Sequence, residues 1–187
     1  LGDSVWKQPV ESYWSNERFE AEIALLRRLP IVFCLSAMLP DKGSYIARKA
    51  AGTPLLVVRG DDGRVRAFIN ACRHRGMQVA SNEGCAKSFV CPYHAWNYGL
   101  DGQLKYIPGE SGFPGIAREG NGLVEVSALE KGGLVYVNQS EPIDPATIED
   151  IPDFFTDQQI YFDQSEYVDD ANWKLLAETT MEGYHIK

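Results

Sequence analysis

The apolar pattern changes period once along the chain. Between Ser15 and Leu29 the residues Phe19, Ile23 and Leu26 recur on one face at helical spacing. Ser15 is a suitable N-cap and Pro30 a stop, so the pattern predicts a helix over 15–29. Beyond it the period shortens to that of strands. Gly43 to Ala51 alternates loosely, Leu55 to Arg59 is rich in Leu and Val, and Val65 to Ile69 follows the turn signal Asp62-Gly63 as a hairpin partner. Short apolar runs return at 89–90, 124–129 and 134–137. Many short strands joined by turns predict a small antiparallel β-sandwich or barrel. Residues 108–122 hold five glycines and two prolines and read as a long loop. A last helical pattern starts near Trp173, with Asn172 as its N-cap, and its Glu178, Glu182 and His185 at i, i+4 and i+7 share one face.

Length and composition narrow this little. A chain of 187 residues with 44% hydrophobic and 24% charged residues suits one packed domain and a fraction of another. A net charge of −8 argues against a general nucleic-acid binder. No apolar run approaches the roughly 18 residues needed to span a bilayer. No basic segment followed by an apolar core opens the chain, so the expectation is a soluble cytoplasmic protein without a secretory signal. From Gly132 to Trp173 there are ten Asp or Glu and no Lys or Arg, which reads as a solvated acidic face, with a docking patch for another subunit or redox partner as the sharper alternative.

The chemistry lies in Cys72-Arg73-His74 and Cys91-Pro92-Tyr93-His94, separated by sixteen residues. Each half offers one thiolate and one imidazole, and two of the three histidines of the chain fall here. Thiolate with imidazole suits zinc or iron–sulfur chemistry. Cys34 sits in an apolar run and reads as a buried hydrophobe, and no slot of the motif calls for Cys85.

The pattern C-x-H-x16-C-x2-H, with its surrounding words CRHRG and CPYHAW, closely resembles the Rieske family over residues 30–140. The resemblance implies a [2Fe–2S] cluster, with Cys72 and Cys91 on an inner iron and His74 and His94 on an outer iron nearer solvent. A structural zinc site on the same four ligands is the competing reading. In the respiratory members of the family each cluster loop carries an extra cysteine, and the two form a disulfide; Met77 and Tyr93 stand there instead. Those members also have a serine donating to a cluster sulfide, where this chain has Trp96, read as a hydrophobic shield. Tyr98 keeps the place of a tyrosine that bonds a cysteine sulfur. Fewer hydrogen bonds to sulfur imply a potential at the low end of the roughly −150 to +300 mV Rieske range. Gly76 and Gly99 are expected at tight turns of the loops, and Arg73 and Arg75 at the surface.

The C-terminal segment resembles the start of the catalytic domain of Rieske non-haem iron oxygenase α subunits, the ring-hydroxylating family. Their string N-W-K, then E-N-x-x-E-x-Y-H, meets Asn172-Trp173-Lys174 and Glu178-Thr179-Thr180-Met181-Glu182-Gly183-Tyr184-His185, with Thr179 replacing the usual Asn. The resemblance implies that His185 is the first ligand of a 2-His-1-carboxylate Fe(II) site. Glu182 matches the carboxylate that bridges the Rieske histidine of one subunit to the iron histidine of the next. The expected architecture is therefore mainly β: a Rieske-type sandwich or barrel with an inserted cluster-binding subdomain, an N-terminal helix and a C-terminal helix. Residues 1–163 form the Rieske domain with its helix, and residues 164–187 the start of a mononuclear iron domain that stops at Lys187, short of its other ligands. The implied parent accepts electrons from a ferredoxin or reductase, is a homotrimer, and hydroxylates or demethylates an aromatic or similar organic substrate. A stand-alone Rieske ferredoxin is the alternative, disfavoured by the N-terminal helix and the N-W-K segment.

Overall fold

The structure, a computed structural model, describes residues 7–156, 158–181 and 183. It divides into two compact units, one built from the two ends of the chain, up to Leu25 and from Phe162 onward, and the other from Leu26–Tyr161.

In the first unit α1 (Glu11–Trp14) leads into α2 (Asn16–Arg28), and α3 (Trp173–Met181) comes from the other end. The helix predicted over 15–29 is α2, opened as expected by the Ser15 hydroxyl, which accepts from Arg18 N–H at 3.3 Å. Glu17 in its first turn and Arg27 and Arg28 in its last complement the helix dipole. α3 starts at the predicted residue, with Asn172 Oδ1 accepting from Lys174 N–H at 3.1 Å.

The second unit is antiparallel throughout. One sheet has seven strands, in the order β1 (Ile31–Leu35), β10 (Leu134–Asn138), β9 (Glu125–Lys131), β4 (Val65–Ile69), β3 (Thr53–Arg59), β2 (Ser44–Ala50) and β5 (Asn82–Cys85). A second sheet has three, β6 (Phe89–Val90), β7 (Asn97–Tyr98) and β8 (Leu104–Tyr106). The mainly β, antiparallel fold expected from the sequence is the one found. Strands β1, β5, β7 and β8 add to those predicted. Strands of two or three residues show no period, and β5, an edge strand reading NEGC, has no apolar alternation to reveal it.

Strand β3 explains how the sheet carries the site. Leu55, Leu56, Val57 and Val58 are all fully buried, because both faces of the strand are covered. Leu55 and Val57 pack with Phe33, Ile46, Val126 and Val137. Leu56 and Val58 face the other way, into a core with Phe68, Cys72, Cys91, Trp96 and Tyr98. One face of the sheet is thus the floor under both cysteines of the motif. Among the described residues no helix is long and apolar enough to cross a membrane.

Candidate metal centre

Two loops rise from this floor, 72–77 after β4 and 91–96 between β6 and β7. Their backbones are hydrogen-bonded alike. Cys72 N–H donates to Met77 O and its carbonyl accepts from Gly76 N–H, both at 2.8 Å. Cys91 N–H donates to Trp96 O at 2.8 Å and its carbonyl accepts from Ala95 N–H at 2.9 Å. The same turn therefore presents a cysteine at its base and a histidine two or three residues on. The fifth residue of each loop is left-handed: Gly76 at φ +75° and Ala95 at φ +55°. An L side chain costs about 1 kcal/mol there, and glycine avoids it. Ala95→Gly is accordingly expected to raise unfolding stability by about 1 kcal/mol, and Gly76→Ala, with open space at its Cβ, to lower it by about the same. Urea denaturation of the two variants checks both signs.

The loops arrange the four candidate ligands in two layers. Cys72 and Cys91 are each 3% exposed, whereas His74 is half-buried and His94 exposed. The two imidazoles lie 4.6 Å apart, centroid to centroid. His74 stacks on Trp96 at 5.1 Å and 8°, and Phe113 meets both rings edge-on. The ring of Tyr93 lies 3.7 Å from that of His94. Trp96 is 2% exposed, buried against His74 and Phe113. Arg73 and Arg75 are exposed, as are Met77 and Tyr93.

The Nδ1 atom of His74 is buried with no hydrogen-bond partner. A buried polar atom without a partner costs free energy unless something else coordinates it, and an imidazole nitrogen held this way suits a metal. Burial, then His94 and Arg75, lower the His74 pKa, favouring the neutral ring that ligates. The donors come as two cysteines at the buried base and two histidines nearer the surface. Two thiolates and two imidazoles are the donor set that would hold a Rieske-type [2Fe–2S] cluster.

Behind the ligands, Tyr98 is fully buried, its hydroxyl 3.1 Å from Cys72 Sγ and accepting from Arg73 N–H at 3.0 Å. Burial and the contact with Cys72 push its phenol pKa up. The sulfur contact expected of Tyr98 is present.

Asn70, 1% exposed, was not evident from the sequence. Its Oδ1 accepts from Val79 N–H at 2.9 Å and Ala80 N–H at 3.3 Å, and its Nδ2 donates to Ala80 O at 2.8 Å. It closes the segment containing the first loop. The only hint was a polar residue ending the apolar run of β4. Phe113, from the predicted long loop, likewise carries no mark in the sequence. Gly99 does open a tight turn, its carbonyl accepting from Gly102 N–H at 3.0 Å, but its φ is not positive, and a Cβ there meets only the side chains of Asp101 and Lys105 within 3 Å. The turn instead requires Gly102, at φ +75°, where a Cβ would lie 2.3 Å from the Phe68 ring.

Cys34 is buried, with its thiol pushed up to about 12 by burial, and Cys85 is exposed on the edge strand. Glu182 and His185 lie outside the described residues. Glu178, first of that face, is exposed on α3 and accepts from the Tyr13 hydroxyl at 2.7 and 3.0 Å.

Residues 30–126 match the family described as "Rieske [2Fe-2S] domain". The chain is 35% identical over 158 residues to the glycine betaine monooxygenase oxygenase subunit of Chromohalobacter salexigens, a match covering 81% of this chain and 35% of the relative. It is 35% identical over 185 residues to the 2-aminobenzenesulfonate 2,3-dioxygenase subunit alpha of Alcaligenes sp, covering 92% and 47%. Among solved structures it resembles the quaternary ammonium Rieske monooxygenase CntA bound to L-carnitine, with TM-score 0.74 and 31% identity over 81% of this chain and 44% of that one. The chain spans half or less of the length of these relatives. Fold, paired loops and similarity agree: the chain belongs to the Rieske [2Fe–2S] domain family, in the form found in oxygenase α subunits.

Proposed function

We propose that this chain is the electron-transfer part of a Rieske non-haem iron oxygenase. Cys72 and Cys91 hold the inner iron of the [2Fe–2S] cluster, and His74 and His94 the outer iron. The observation that carries this is the pair of like-bonded loops, with cysteines on the core floor, histidines at the surface and an unpartnered buried Nδ1 on His74. The bound cluster supplies one-electron transfer. The chain's own residues set its conditions: Leu56, Val58 and Trp96 keep water from the sulfurs, Phe113 and Trp96 fix the ring of His74, and Tyr98 holds Cys72. His94, exposed beside Tyr93, leaves the outer edge open to a partner.

In the whole protein His185 serves as the first ligand of a mononuclear Fe(II) site, and Glu182 as the carboxylate between that histidine and the Rieske histidine of a neighbouring subunit in a homotrimer. Such a carboxylate accepts from an iron-bound imidazole and fixes its orientation. Electrons come from a ferredoxin or reductase in the cytoplasm. The substrate is a small organic molecule that is hydroxylated or demethylated. The named relatives divide between quaternary ammonium and aromatic compounds. The presence of Asn172-Trp173-Lys174 and α3 favours this reading over a free-standing carrier.

Absorption and electron paramagnetic resonance test the reading. The purified protein is expected to be red-brown and, once reduced, to give a Rieske-type signal; a colourless protein holding one zinc would end the proposal. With Met77, Tyr93 and Trp96 in place of the disulfide and serine of the respiratory members, a redox titration is expected to give a midpoint below about +100 mV.

A further inference from the structure

In the unit built from the two chain ends, α3 is gripped from one side by the N-terminal helices, and the contacts fall on its first two turns. Glu22 Oε2 accepts from Lys174 Nζ at 2.6 Å and from Trp173 Nε1 at 3.2 Å. The Glu22 and Lys174 side chains are only 20% and 17% exposed, so water screens this pair less than a surface pair. Lys174 holds the Glu22 carboxyl below its ordinary pKa. Its ammonium also lies 5.6 Å from the Trp173 ring centre and 5.9 Å from that of Tyr13. Asn172 Nδ2 donates to Tyr13 O at 3.0 Å while its Oδ1 caps α3. One turn further on, the Tyr13 hydroxyl donates to both carboxylate oxygens of Glu178.

Every side chain of the N-W-K word therefore points back to α1 or α2, and Tyr13 takes the first acidic residue after it. A nine-residue helix is too short to be stable in water by itself. Its direction has to come from outside, and Tyr13 and Glu22 make hydrogen bonds to it and to its cap. We propose that Glu22 and Tyr13 are positioning residues for α3 and, through it, for the iron ligand His185. This rests on the reading of His185 given above. On this account Tyr13 and Glu22 serve the mononuclear iron.

The test uses the whole subunit with its cluster loaded. Non-cluster iron per subunit is measured by metal analysis against acid-labile sulfide, and amide hydrogen exchange is followed across 174–181 for Glu22→Ala, Glu22→Gln, Tyr13→Phe and His185→Ala. Glu22→Ala is expected to lower non-cluster iron at least threefold at limiting Fe(II) and to speed exchange in α3 about tenfold, with the Rieske absorption and reduced spectrum unchanged. Glu22→Gln, which still accepts from Trp173 and Lys174, should recover most of the iron. Tyr13→Phe should give a smaller change in the same direction. If His185→Ala strips the iron while Glu22→Ala and Tyr13→Phe keep wild-type iron and exchange, the positioning role is wrong and the ligand reading stands. If His185→Ala keeps its iron, the ligand reading falls and this proposal falls with it.

Discussion

Replacing Asn70 by alanine is expected to destabilise the protein by about 3 kcal/mol, more than any surface change. The side chain is 1% exposed and makes three hydrogen bonds, all to the backbone of Val79 and Ala80. Truncation removes both partners at once, leaving two N–H groups and a carbonyl at a buried site. Each buried group so orphaned costs about 1–3 kcal/mol, and one bound water entering the space would recover only part. The main-chain bond from Asn70 N–H to Pro54 O survives, so β4 keeps its place on β3. What loosens is the return of the first cluster loop to the core through Val79. Urea titration should show the midpoint falling by about 1.5 M at an m-value of about 2 kcal/mol/M. The cluster of the variant should also be lost faster to a chelator. A shift under about 1 kcal/mol would mean that Val79 and Ala80 are held by other groups.

Asn70 marks the boundary of what the sequence could disclose. The four candidate ligands were legible because their types and spacing are rare, and the helices and longer strands because apolar period and caps act locally. Ser15 and Asn172 cap α2 and α3 as read, since a cap needs only its next three residues. Asn70 reaches residues nine and ten positions on, and Phe113 meets His74 from a loop 39 residues away by number. Nothing in a run of letters announces such partners. Gly99 shows the same limit inside one turn: two glycines three apart look alike in sequence, and it takes the positive φ of Gly102 and the Phe68 ring packed against it to tell which of them must be glycine. The partners of Asn172-Trp173-Lys174 were hidden for the same reason. The word could be matched to a family, but its work on Tyr13 and Glu22 depends on contacts spanning about 150 residues.

Tyr98→Phe is expected to lower the midpoint potential of the cluster by about 40–60 mV without removing it. The argument turns on where the phenol proton points. Arg73 N–H already donates to the Tyr98 oxygen, and a cysteine bound to iron is a thiolate that can only accept. The hydroxyl hydrogen is therefore left for Cys72 Sγ, 3.1 Å away. Reduction adds negative charge to the cluster and strengthens this bond, so the bond favours the reduced state and raises the potential. A difference of about 1–1.4 kcal/mol between the two states, typical of one hydrogen bond, equals about 40–60 mV for one electron. Because Tyr98 is fully buried, no water replaces the hydroxyl in the phenylalanine variant, and the Arg73 N–H loses its partner too. A modest loss of stability, about 1 kcal/mol, should accompany the shift. The two effects separate in measurement, one by redox titration and the other by denaturation. An unchanged potential with the stability loss present would mean that the phenol serves only the backbone of Arg73, and that Cys72 carries its charge without help from the core behind it.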